Sequence, residues 1–214
     1  VIKLASNENP VGPSKMALNV LGKNQKNINR YPDGKCDALK LEIVKFISKS
    51  YIKTKNIIVG NGSSEILELV AKAFLNNNSE ALFSQHSFIV YKLVSNFMNA
   101  KVKESKLITK AGRSYMSSDL VDMKSKITSK TKVIFLPNPA NPTGVLISYD
   151  AIDKFISTLS KKIIIVIDEA YIEYACMRGH KSCLGLLKKY NNVIITRSFS
   201  KIYALAGIRI GYGL

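Results

Sequence analysis

Thr196-Arg197-Ser198-Phe199-Ser200-Lys201-Ile202-Tyr203-Ala204-Leu205-Ala206-Gly207-Ile208-Arg209-Ile210-Gly211-Tyr212 runs from the end of one apolar run, residues 193–196, through a second, residues 208–212, each short enough to be one buried strand. The link between them, residues 197–207, is too short for the helical crossover that joins parallel strands. The second run is therefore expected to lie antiparallel inside a sheet that is otherwise parallel. The link itself carries Ser198, Ser200 and Lys201, and Arg209 follows it. Hydroxyls and a guanidinium hold a phosphate, and a lysine beside them can carry an aldehyde coenzyme as a Schiff base. A single lysine in a lysine-rich chain is by default a solvated surface residue. The reading then depends on what stands upstream.

Upstream, short apolar runs alternate with helical patterns. Runs at residues 57–59, 81–83, 133–136 and 163–167 read as strands and 102–107 as a weak one, and with the two above they make seven. Between them, helices are expected to about residue 75, over 89–98, over 118–127 and over 148–159, with another before the first strand at 37–51. This alternation predicts an α/β fold, a three-layer sandwich whose seven-stranded, mostly parallel mixed sheet has helices on both faces. Residues 1–30 are polar, with one short helix near 15–21, and read as an N-terminal arm; residues 31–214 read as one large domain. In parallel α/β sheets, ligands gather at the carboxyl ends of the strands.

Composition narrows the class. A chain of 214 residues, 46% hydrophobic, can bury one sizeable core. No apolar run approaches the roughly 20 residues that span a bilayer. The first residues, Val1-Ile2-Lys3-Leu4-Ala5-Ser6-Asn7, show neither a secretory pattern nor an initiating Met. A cytoplasmic enzyme with something removed upstream is the expectation, with no membrane partner. Cys36, Cys176 and Cys183 are odd in number and widely spaced, and His86 and His180 stand apart, so neither a disulfide framework nor a metal site is expected. The net charge of +17 invites a nucleic-acid reading. Against it, the lysines are scattered through every element, and the arginines are only Arg30, Arg113, Arg178, Arg197 and Arg209.

Four further segments fall mostly at expected strand ends. Gly60-Asn61-Gly62-Ser63-Ser64-Glu65 turns a strand into a helix, with Ser63 and Ser64 at the N-cap region, where backbone N–H groups and the helix dipole favour an anion. Pro137-Asn138-Pro139-Ala140-Asn141-Pro142-Thr143-Gly144 is a stiff loop in which Asn141 is a neutral donor suited to a phenolic oxygen. Asp168-Glu169-Ala170-Tyr171 ends an apolar run, and a carboxylate there can pair with a protonated pyridine nitrogen, Tyr171 sharing the ring hydroxyl with Asn141. Phe88 can stack on a ring. Each has a plainer explanation as a cap, a turn or a core aromatic. Together, in this order, they are hard to explain that way.

Asn141-Pro142-Thr143-Gly144, Asp168-Glu169-Ala170-Tyr171, Ser198-Phe199-Ser200-Lys201 and Gly207-Ile208-Arg209-Ile210-Gly211-Tyr212 resemble the marks of the fold-type-I pyridoxal-phosphate (PLP) aminotransferases, the aspartate-aminotransferase superfamily. Leu4-Ala5-Ser6-Asn7-Glu8-Asn9-Pro10 and Arg30-Tyr31-Pro32-Asp33-Gly34 look like its histidinol-phosphate branch. The resemblance implies that the sheet is the coenzyme-binding large domain, and that PLP is the cofactor. It implies Lys201 as the Schiff-base lysine and acid/base, and Asp168 as the partner of the pyridine nitrogen. Asn141 and Tyr171 would bind the ring oxygen, and Phe88, where relatives often have Tyr, would cover the ring. Ser63, Ser64, Ser198, Ser200 and Arg209 would hold the phosphate. Tyr31 would reach the phosphate of a partner subunit in a homodimer, and Asn7 would shape the substrate side. The implied reaction exchanges an amino group between histidinol phosphate and 2-oxoglutarate, giving imidazole-acetol phosphate and glutamate. Aromatic amino acids are the nearest alternative substrates, a PLP-dependent lyase or decarboxylase is a further one, and a basic nucleic-acid-binding protein with an enzyme-like fold is the distant one. The small C-terminal domain of such enzymes is not expected within 1–214.

Overall fold

The computed structural model describes residues 5–109 and 116–214. Its sheet has seven strands, β1 (Ile58–Asn61), β2 (Glu80–Ser84), β3 (Lys101–Ser105), β6 (Thr131–Pro137), β7 (Ile164–Asp168), β8 (Val193–Ser198) and β9 (Ile210–Gly213), while β4 (Leu107–Thr109) and β5 (Met116–Ser118) form a separate hairpin. The spatial order is β1-β9-β8-β7-β6-β2-β3. β9 runs antiparallel to both of its neighbours, and the other pairings in this sheet are parallel. The short link before β9 holds only a single 3-10 turn, Ala206–Ile208, which is why β9 enters reversed.

The pleat of β6 divides the core. Ile134 and Leu136 face one side with Ile43, Ile47, Ile152, Phe155, Ile165 and Ile167. Val133 and Phe135 face the other with Leu67, Val70, Ala71, Tyr91 and Val94. The first side is thus covered by helices α2 (Asp37–Ile47), α5 (Leu120–Ser125) and α6 (Tyr149–Ser157), the second by α3 (Ser63–Phe74) and α4 (Val90–Phe97). Strands buried on both faces read as continuous apolar runs, which explains why the sequence marks them so clearly.

Several bounds differ from expectation. α2 stops at Ile47 because Ser48 turns into the left-handed region, φ 51°, and returns its N–H to Val44. α5 begins only after Asp119, whose carboxylate accepts from Val121 and Asp122, and Ser118 belongs to β5. The run at 102–107 is divided between β3 and β4. α1 (Lys15–Asn24) forms behind a Ser14 cap but buries none of its residues. Among the described residues, no helix is long and apolar enough to cross a membrane.

Register places the site. Pro137 of β6 sits beside Asp168 of β7, and Asp168 beside Thr196 of β8. At the same edge Asn61, the last residue of β1, pairs with Ile210, the first of β9. The ends of four parallel strands therefore deliver Asn61, Pro137, Asp168 and Ser198 to one mouth.

Candidate active site

A cleft of about 330 Å³ opens at that mouth, lined by Ser63, Ser64, Phe88, Asn141, Asp168, Tyr171, Ser198, Ser200, Lys201 and Arg209 among others. Ten of the positions singled out from sequence are thus brought together.

One end of the cleft is built for an anion. Gly62, φ 77°, occupies the cap position, and Ser63 and Ser64 are the first helical residues rather than caps; no side chain caps α3. Their backbone N–H groups belong to the helix's first turn, which has no intrahelical acceptors. Arg209 lies across Gly62: its Nη2 donates to Asn61 O at 3.3 Å and its Nη1 to Ser200 Oγ at 3.3 Å. A Cβ on Gly62 would collide with that guanidinium. Arg209 itself holds φ 58°, a conformation that costs a non-glycine residue on the order of 1–3 kcal/mol. Ser198 Oγ accepts from Ser200 N at 3.0 Å, turning the loop so that both hydroxyls line the cleft. Among the described residues neither Arg209 nor Lys201 enters an ion pair. Two cations, two hydroxyls and a helix N-terminus left facing one cavity suit a phosphate.

The floor is Asp168, 5% exposed. Its Oδ1 accepts from Thr196 Oγ1 at 2.9 Å and from Ala170 N at 3.3 Å, and its Oδ2 accepts from the Tyr91 hydroxyl at 2.9 Å. Burial, with the neighbouring Glu169 charge, raises its pKa, and these hydrogen bonds work in the opposite direction. Glu169, the next residue, faces away from the cleft. It is fully buried, pairs with Arg197 Nη2 at 2.8 Å and also accepts from Ser182 and the Cys183 N–H. Burial works against the Arg197 charge, yet this pairing keeps its pKa raised. The pair ties the end of β7 to the end of β8, the two strands that present Asp168 and Ser198.

The wall separates the tasks of two asparagines of the proline loop, Asn138 and Asn141. Asn138 is 1% exposed and spends its amide on Ile147, accepting from its N–H at 2.8 Å and donating to its carbonyl at 3.1 Å. It closes the proline loop, and Asn141 is the one that lines the cleft. The Asn138–Pro139 and Asn141–Pro142 bonds are both cis. Phe88 forms the opposite wall, edge-on to Tyr91 at 5.9 Å and 88°.

The arm closes one side. Asn7 Nδ2 donates to the Tyr171 hydroxyl at 3.0 Å, Lys201 Nζ donates to the Asn7 carbonyl at 3.2 Å, and Asn9 donates to the Ile202 carbonyl at 3.1 Å. Ser6 and Glu8 also line the cleft. Tyr31 does not. It is fully exposed and away from these groups in the single chain. Sequence reasoning missed Tyr91 and Thr196, the two side-chain donors to Asp168. Tyr91 sits at an apolar helical position and looks like core, and Thr196 reads as strand; only the register reveals them. Among the described residues no group of three or more His, Cys, Asp or Glu converges as for a metal ion.

A buried carboxylate, an aromatic ring, an amine and an anion cup lining one cleft suit a phosphorylated pyridine aldehyde. Comparison with known proteins places the chain in a family. The family model "Aminotransferase class I and II" matches residues 1–214. Histidinol-phosphate aminotransferase 2 of Nitrosospira multiformis is 40% identical over 215 residues, covering 100% of this chain and 52% of the relative. The chain spans about half the length of the curated relatives it matches. Among solved structures, the histidinol-phosphate aminotransferase of Clostridium acetobutylicum superposes with a TM-score of 0.84 at 31% identity, over 100% of this chain and 60% of that one. The Sinorhizobium meliloti histidinol-phosphate aminotransferase, solved with pyridoxal-5'-phosphate, shares the fold with a TM-score of 0.87 at 24% identity, over 98% of this chain and 54% of that one.

Proposed function

The chain belongs to the class I and II aminotransferase family, and from that premise we propose that the native protein uses PLP to move an amino group between histidinol phosphate and 2-oxoglutarate, forming imidazole-acetol phosphate and glutamate. The observation that carries the chemistry is the convergence of Lys201, Asp168 and Arg209 on one cleft, with both cations outside any ion pair among the described residues. The likeness to histidinol-phosphate aminotransferases along the whole chain supports the substrate.

When bound, the coenzyme supplies an electron-poor ring that accepts the electrons released as the substrate's α C–H bond breaks. The chain's own groups divide the remaining work. Ser63 and Ser64 N–H, the Ser198 and Ser200 hydroxyls and the Arg209 guanidinium hold the phosphate. Asp168 keeps a proton on the ring nitrogen. Asn141 and the Tyr171 hydroxyl donate to the ring oxygen, and Phe88 covers one ring face. Lys201 Nζ would anchor the coenzyme and, once the substrate's amino group has displaced it and left it a free amine, would take the proton from the substrate's α-carbon. Asn7, fixed on Tyr171, orients the substrate side. We further read residues 1–30 as the arm and 31–214 as the coenzyme-binding domain of a cytoplasmic homodimer, in which Tyr31 reaches the partner's phosphate.

The test is a half-reaction on the native protein loaded with PLP. Histidinol phosphate should bleach the visible band of the bound coenzyme, and 2-oxoglutarate should restore it. A band that ignores histidinol phosphate and bleaches with phenylalanine or tyrosine would transfer the proposal to aromatic substrates.

A further inference from the structure

Tyr91 is the largest fully buried side chain among the described residues, and its surroundings distinguish its ring from its hydroxyl. The ring stacks on Phe135 at 5.0 Å and 4°, tilts against Phe83 at 6.0 Å and meets Phe88 edge-on at 5.9 Å. Three phenylalanines in that nest show that packing alone would be served by another. A buried hydroxyl costs free energy unless it is paired. Here it is paired with the Asp168 carboxylate, 2.9 Å away.

An ionised carboxylate has about four acceptor positions. Thr196 and Ala170 take two on Oδ1, and Tyr91 takes one on Oδ2. The position left over is on Oδ2, the oxygen that Tyr91 holds. Asp168 lines the cleft, so an N–H entering there meets an oxygen already oriented and partly neutralised by Tyr91. The same residue supports Phe88 from behind. Resting on the function proposed above, we propose that Tyr91 is a positioning residue for the coenzyme: its hydroxyl holds Asp168 charged and aimed at the ring nitrogen, while its ring fixes the angle of the covering Phe88. Burial keeps the Tyr91 phenol well above its ordinary pKa, with the Asp168 charge adding to the effect, so it stays a donor throughout the working pH range. Among the described residues the charged or titratable groups around Asp168 are Glu169 beside it, Arg197 paired to Glu169 on β8, and Glu8, Tyr171, Lys201 and Arg209 on the cleft wall.

The experiment is a double-mutant cycle on the native protein, Tyr91→Phe and Asp168→Asn singly and together, reading the dissociation constant for PLP by absorbance across pH. Tyr91→Phe keeps the ring and its packing. It should weaken PLP about tenfold with Asp168 present, the worth of one charge-assisted hydrogen bond, and less than about twofold in the D168N background. The acid limb of PLP affinity should also move to higher pH in Tyr91→Phe, because removing a donor favours the neutral carboxyl, which cannot hold a ring cation. Equal losses in both backgrounds, or an unmoved acid limb, would show that Tyr91 only fills space and would overturn the proposal. Failure of the wild-type protein to bind PLP would instead sink the function it rests on, so the two failures are distinguishable.

Discussion

Asp168 and Glu169 are adjacent carboxylates, both buried, and the fold treats them in opposite ways. Glu169 has a guanidinium, a hydroxyl and a backbone N–H. Asp168 has only neutral donors, and its pKa is raised, chiefly by burial. For a carboxyl with a raised folded pKa, folding disfavours the charged form relative to the unfolded chain. Its contribution to stability falls as pH rises through the ordinary carboxylate range towards the folded value, and above that value the charge is a standing cost. Asp168→Asn should therefore make the coenzyme-free protein more stable at neutral pH, by about 2–4 °C in Tm for each ~1 kcal/mol recovered. The gain should shrink as the pH is lowered and vanish where Asp168 is protonated in both states. Thermal unfolding of both proteins from neutral to acid pH checks this; a gain that grows on acidification contradicts it. A residue that destabilises the empty protein and is satisfied by a cation in the cleft is what a binding site would select.

At the scale of elements, the anion cup depends on how closely β9 approaches the start of α3. A Cβ on Gly211 would collide with the backbone of Gly62 and Ser63, whereas a Cβ on Gly207 meets nothing within 4 Å. Backbone cannot swing aside as a flexible side chain can. Gly211→Ala should cost about 1–3 kcal/mol or more through forced separation of the two elements and should weaken phosphate binding. Gly207→Ala should leave stability within about 0.5 kcal/mol. Denaturant unfolding of both variants decides it, and equal effects would contradict the close-approach argument. The central strands β2, β6, β7 and β8 were legible because burial on both faces writes them as apolar runs, and the reversal of β9 because the β8–β9 link is short. The β4–β5 hairpin was not, since strands of three residues carry no usable alternation. The end of α2 was hidden too, because a left-handed serine leaves no compositional mark.

Across the whole molecule, the candidate site was more legible than its support. Lys201, Asp168, Asn141, Tyr171 and Arg209 lie at strand ends or in loops where their chemistry stands out, and all five reach one cleft. Tyr91 and Thr196 act from inside regular elements, where a polar tip on an apolar position looks like packing, and their role emerges only from how the layers meet. Tyr31 and α1 are exposed to solvent in the single chain, and the part proposed for Tyr31 depends on the proposed homodimer. The central claim is that Lys201 carries the coenzyme. Its most direct test is borohydride reduction of the native protein with PLP, followed by peptide mass mapping. The account predicts one phosphopyridoxyl adduct, on Lys201, lost in Lys201→Ala. Labelling spread over the surface lysines with Lys201 unmodified would contradict it.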